Sequence, residues 1–157
     1  MSLATSLLTA CSGFLFAVLW MDLMFDAQVL ADRNPDGYLP EAALASIAGY
    51  YRRAVTESRP MSRLIAVVMV VLLGALGFRA ARGHDPGWLL AISALLAAGP
   101  ISLAWTRTVP NAVRLGRRSG DRAEQTALAR SIWRDHLVCA VCMLGFLVLW
   151  VTHSEML

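Results

Sequence analysis

Four long apolar stretches divide the chain, and the polar residues fall mostly into the segments between them. A membrane-crossing helix needs about 20 mostly apolar residues. The first stretch covers about 3–30 and contains LLTACSGFLFAVLWMDLMFDAQVL, and the second, about 64–80, reads LIAVVMVVLLGALGFRA. The third, about 87–105, includes WLLAISALLAAGPISLAW, and the fourth, about 132–151, holds HLVCAVCMLGFLVLWV. This pattern predicts an all-α fold, a bundle of four transmembrane helices, with residues 1–157 forming one integral membrane domain. His84-Asp85-Pro86-Gly87 is a tight turn that makes a helical hairpin of the second and third spans.

The other two connections are longer and polar. Residues 31–63 begin with the turn-rich DRNPDGYLP and continue as EAALASIAGYYRRAVTE, whose apolar stripe runs through Leu44, Ile47 and Tyr51. That segment reads as an additional helix, amphipathic in the interface or extending the second span. Arg59-Pro60 interrupts it, because proline lacks the donor that a helix interior requires. In residues 106–131, Pro110-Asn111 is expected to end the third helix, and Gly99-Pro100 to kink it as a packing device. Asp121 followed by Glu124 has the form of a capping box, which starts the fourth helix before the membrane.

Composition supports the same class. Hydrophobic residues make up 57% of the chain and charged residues 16%, against roughly 45–50% apolar in soluble domains. Every basic residue is Arg, and their placement is lopsided. Arg33, Arg52, Arg53, Arg59, Arg63, Arg107, Arg114, Arg117, Arg118, Arg122, Arg130 and Arg134 fall on one side, and only Arg79 and Arg82 on the other. The positive-inside rule makes the Arg-rich side cytoplasmic, with both termini outside, in a bacterial-type inner membrane. The net charge of +3 thus reads as orientation in an anionic bilayer rather than nucleic-acid binding. The first stretch has no positive n-region and runs on into Asp22 and Asp26, so it reads as a retained helix rather than a cleaved signal.

Asp22 and Asp26 are four residues apart and share one helix face. A carboxylate in hydrocarbon is expensive unless paired, wetted or protonated, which marks an intramembrane pair as a candidate site. Solvation at the interface is the plain alternative. Alternation of the spans brings the end of helix one level with the start of helix two, the end of helix three and the start of helix four. That layer offers Arg52, Arg53, Arg107, Asn111, Arg134, Asp135 and His136 as partners. His136 is the natural centre, since imidazole serves as base, donor or ligand near neutral pH. If the protein is an enzyme, His136 is the general base, Asp22 or Asp26 orients it, and Arg107 stabilises an oxyanion. Asn111, Asp135 and Arg53 line the pocket. Cys139-Ala-Val-Cys142 lies on the fourth helix, and the loop-borne relay pair of membrane thiol oxidoreductases is missing, so both cysteines read as packing residues rather than a redox pair or soft-metal ligands. His84 and His153, at the opposite end, are expected to be solvated.

Gly13 in the first helix, Val109-Pro110-Asn111 after the third, and Trp133 with His136 opening the fourth give a pattern that resembles the anthrone-oxygenase-like family of small four-helix membrane proteins. Cys139 stands near the place where that pattern carries an Arg. The resemblance adds Trp133 to the ligand-binding set and implies a small hydrophobic aromatic ligand and its cofactor-independent oxygenation. Two other readings stay open: a non-catalytic accessory subunit packed on a larger membrane complex, and a proton- or metal-linked transporter, which would favour a homo-oligomer. No cofactor is specified.

Overall fold

The computed structural model describes residues 3–30, 37–57 and 59–155. Asp32, Arg33 and the rest of the turn expected over 32–36 lie outside the described residues. Among the described residues the chain is mostly helical and contains no strand: α1 (Leu3–Asp26), α2 (Glu41–Tyr51), α3 (Arg59–Arg82), α4 (Gly87–Leu103), α5 (Val109–Gly116) and α6 (Arg122–Glu155). Four segments are long and apolar enough to cross a membrane: Leu3–Val29, Pro60–Arg82, Gly87–Gly116 and Arg122–His153. The protein is a multi-pass, all-α membrane bundle.

Within the bundle, α1 packs on α6 and α3, and α4 packs on α6. Leu8, Leu15, Leu72, Met143, Phe146 and Trp150 fill the centre. Large apolar side chains such as Val70, Leu95 and Val141 point outward, as a lipid-facing surface requires.

A second, smaller core lies at the Arg-rich end. Here α2 lays Leu44, Ile47 and Tyr51 against Ala112 and Leu115 of α5 and Leu128 and Ile132 of α6. Polar bonds fix its leading strand of chain. The Leu39 N–H donates to Thr126 Oγ1 at 3.2 Å, Arg122 Nε donates to the Leu39 carbonyl at 2.9 Å, and Arg118 pairs with Glu41. The additional helix is therefore a cap over the end of the bundle.

The third span does not stop at Pro110-Asn111. It widens into a π turn, Ala104–Thr108, and resumes as α5, with Pro110 in the first turn. Proline's ring clashes with the carbonyl four residues back, here Thr106, and a widened turn relieves that contact. The same device recurs at Arg52–Glu57, just before the Pro60 that opens α3. After α5 the chain reverses through Arg118 and Gly120, both with positive φ. Asp121 Oδ1 then accepts the Glu124 N–H at 2.8 Å, which caps α6 as the sequence pattern implied.

His84 is exposed, but His153 is not solvated as expected: its side chain is only 13% exposed, with Nε2 3.9 Å from Asp85 Oδ1. It completes a second polar cluster at the hairpin end. Arg79 bonds Asp85 through two nitrogens, lies 5.3 Å over the Trp150 ring, and Trp150 donates to Ser93 Oγ at 2.9 Å. These contacts tie the α3–α4 hairpin to α6.

Candidate functional site

The Asp22, Asp26 and His136 side chains meet at the seam between the two cores. Asp26, the last residue of α1, is fully buried. Its Oδ1 accepts the Tyr51 hydroxyl at 2.5 Å, and its Oδ2 lies 2.7 Å from His136 Nδ1. With Asp26 as a carboxylate, which only accepts, Nδ1 would carry the proton, and in the neutral ring Nε2 would be left as an acceptor. The Tyr51 hydroxyl is also 3.4 Å from Nδ1, which helps hold the ring in place.

One turn earlier on the same face, Asp22 Oδ1 accepts the Tyr50 hydroxyl at 2.6 Å, while its Oδ2 stays 3.9 Å from His136 Nε2. That separation is too long for a hydrogen bond. A hydroxyl seated beside the gap can donate its single proton to Nε2, with Asp22 Oδ2 close by as a second, competing acceptor. The arrangement thus holds an oriented imidazole, an adjacent carboxylate and room for one more oxygen.

Tyr50 and Tyr51 come from the last turn of α2, which the second core presses onto the bundle end. Phe25 stacks on Tyr50 with ring centres 4.1 Å apart. Burial first, and then the carboxylate each hydroxyl serves, push both phenols well above the ordinary tyrosine range, so they remain donors. A raised pKa means the folded state holds the proton more tightly. The stability this contributes is complete below about pH 10 and is lost as pH rises further. Phenolate absorbance from Tyr50 and Tyr51, isolated by comparison with Y50F and Y51F, should therefore be missing at about pH 10.5 and emerge only as helical structure melts. Ordinary titration of both in the folded protein would contradict this packing.

Asp22 and His136 face a cavity of about 330 Å³, whereas Asp26 sits behind them. Its polar end is completed by Tyr50, Tyr51 and Thr108, and the remainder is apolar apart from Ser62, including Leu19, Ile65, Met69, Trp105 and Met143.

Other residues expected at the site lie elsewhere. Arg107 is exposed and turned to α6, with Nε 3.4 Å from Asp135 Oδ2 and a 2.9 Å bond to Ser131. It does not reach the Asp22–Asp26 pair. Asp135 is buried and accepts from Thr108 Oγ1 at 3.3 Å rather than bonding its neighbour His136. Successive residues on a helix face different directions, which separates these two side chains. Asn111, Trp133 and Arg53 do not line the cavity; Val109 and Ala112 do so on either side of Asn111. Cys139 is buried and Cys142 half-buried, both as free thiols, and Cys139 Sγ lies 3.8 Å from the Pro100 carbonyl.

Three contributors escaped the sequence reading: the Tyr50 hydroxyl, the Tyr51 hydroxyl and Thr108. Tyr51 registered only as part of an apolar stripe. The available signal was a pair of adjacent tyrosines ending a helix of small residues, matched in number to the two carboxylates. No protein-family model, curated protein or solved structure matches the chain.

Proposed function

We propose that this protein binds a small hydrophobic aromatic molecule through an acidic, phenol-type hydroxyl, with Asp22, Asp26, Tyr50, Tyr51 and His136 as its polar site. The observation that carries the reading is the unbridged 3.9 Å span between His136 Nε2 and Asp22 Oδ2 at the polar end of a largely apolar cavity. The ligand hydroxyl donates to Nε2, and Asp26 holds the ring in the acceptor tautomer. As the hydroxyl proton moves to Nε2, the imidazolium that forms is bonded by Asp26 on its far side and holds the new phenolate oxygen against the nearby Asp22 carboxylate. His136 then acts as general base. The resemblance to the anthrone-oxygenase-like family extends this reading to oxygenation of the bound phenolate.

The Arg-rich end faces the cytoplasm in this reading, in a bacterial-type inner membrane. About 20 residues of helix cross a roughly 30 Å hydrocarbon core; counted along α6 from His153, that length reaches Trp133. His136 then lies about one turn inside the boundary, where an unpaired charge is costly. In a cysteine-free background, a membrane-impermeant thiol reagent added outside should label a cysteine at position 84 and miss one at 119. The opposite pattern would invert the orientation.

The transporter reading draws less support. Between the two polar ends the bundle is filled by Leu8, Leu15, Leu72, Met143 and Phe146. The binding reading is tested with 2-naphthol, whose emission separates phenol from phenolate, on protein in lipid nanodiscs. Wild type should bind it with phenolate-shifted emission, and His136→Phe should weaken binding by about tenfold or more, the effect of losing one buried hydrogen-bond acceptor. Equal binding by the two proteins would overturn the assignment.

A further inference from the structure

We infer that the ligand reaches this cavity sideways from the bilayer, through a gap between α3 and the wide turn Ala104–Thr108, and that the substrate class is accordingly a membrane-dissolved aromatic hydroxyl compound with no charged group. The inference rests on the binding reading above.

The route from water is narrowed but not sealed, since the half-buried Tyr50, Ala54 and Val55 line the cavity outside the spans. α2 covers the bundle end with Leu44, Ile47, Ala48 and Tyr51 buried, and Leu39 beneath its start is fully buried. The route from lipid is built differently. Among the described residues, α3 packs on α1 and α4 but makes no close approach to the wide turn or to α5. The hairpin partners thus separate toward the cavity end, and cavity-lining side chains stand on both lips: Met61 and Ala66 on α3, Ala104 and Trp105 on the turn. Met61 and Trp105 belong to the cavity and to the outer surface at once, being 46% and 63% exposed. Trp105 lies within a spanning segment, and Met61 lies at the Arg-rich end of one.

Pro110 sits next to the origin of the gap, since the π turn that precedes it displaces the chain from a regular helical path. The corridor is largely apolar, with Ser62 beside the Met61 lip, until it reaches the Asp22–His136 end. A charged ligand would have to shed its hydration along that path with no charged partner, a penalty of several kcal/mol that a neutral phenol avoids. The chemistry at the inner end therefore acts on a hydroxyl delivered protonated, and its proton is removed only after arrival.

The test uses nanodisc-embedded full-length protein and two probes with the same reacting group: 2-naphthol, which partitions into bilayers, and 2-naphthol-6-sulfonate, which stays in water. Wild type should bind the first and not the second. Filling either lip, by Ala66→Phe or independently by Ala104→Phe, should slow 2-naphthol association and dissociation together by about tenfold, because a narrowed gate changes rates more than equilibrium affinity. Two lips give two variants, so misfolding of one, visible as lost helicity, leaves the other to decide. Binding of the sulfonate as tight and fast as that of 2-naphthol, or unchanged rates in a folded lip variant, would overturn lateral access while leaving the pocket in place. Failure of wild type to bind 2-naphthol at all would overturn the pocket and the inference with it.

Discussion

Replacing Asp26 with leucine should destabilise the protein by roughly 2–5 kcal/mol, because two buried donors lose their acceptor at about 1–3 kcal/mol each. Those donors are the Tyr51 hydroxyl at 2.5 Å and His136 Nδ1 at 2.7 Å, and neither can turn to water around a fully buried residue. Denaturant or thermal unfolding in mild detergent measures the loss. Asp22→Asn is the comparison: the amide oxygen still accepts from Tyr50, and no second bond is broken, so the loss should stay within about 1 kcal/mol. Equal stability of wild type and Asp26→Leu would mean that the buried network does not hold the bundle end together. Asp26→Asn separates stability from chemistry. Its carbonyl can still accept from Tyr51, but its NH₂ faces Nδ1 and favours the tautomer that protonates Nε2. This variant should fold yet lose the acceptor that meets the ligand hydroxyl.

The second large effect lies away from the polar groups. A Cβ added at Gly116 would stand 2.9 Å from the Arg52 nitrogen and 3.2 Å from its Cα, both backbone atoms that cannot rotate aside. Gly116→Ala should therefore push α5 off the end of α2 and cost about 1–3 kcal/mol, the usual range for overpacking. The displaced chain begins at Tyr51, whose carbonyl carbon is 3.4 Å from the same position, so the tyrosine cap over the carboxylates shifts as well. Gly74→Ala is the control, because a Cβ there meets nothing within 4 Å. A stable Gly116→Ala protein with unchanged tyrosine burial would show that α5 does not set the position of the cap.

Much of the fold could be read from one physical rule, that hydrocarbon forces the backbone into apolar helices of spanning length. The hairpin at His84–Gly87, the extra helix through Leu44, Ile47 and Tyr51, and the capped start of α6 all follow from local pattern. The end of the third span did not. Pro110 reads as a terminator when helices are assumed to be regular, and the π turn that accommodates it is a tertiary compromise. The candidate site divides in the same way. Alternation of spans placed Asp22, Asp26 and His136 at one depth, because depth depends on residue count along each helix. Depth does not decide direction, however. Arg107 and Asp135 sit in that layer and bond each other on another side of α6. The tyrosine hydroxyls were hidden by their own rings, which count as apolar in any periodic pattern. His153 was misplaced for a related reason: a helix end near the interface looks wet until Asp85 and Trp150 fold against it.

The central claim is that the cavity recognises a hydroxyl, not merely an apolar skeleton. The most direct measurement compares affinities of 2-naphthol and naphthalene for the wild-type protein in nanodiscs, each referred to its concentration in the bilayer. With His136 Nε2 facing the cavity 3.9 Å from Asp22 Oδ2, 2-naphthol should bind about tenfold more tightly, the worth of one hydrogen bond to a buried acceptor. Equal affinities for the two would reduce the cavity to a space between helices and contradict the account.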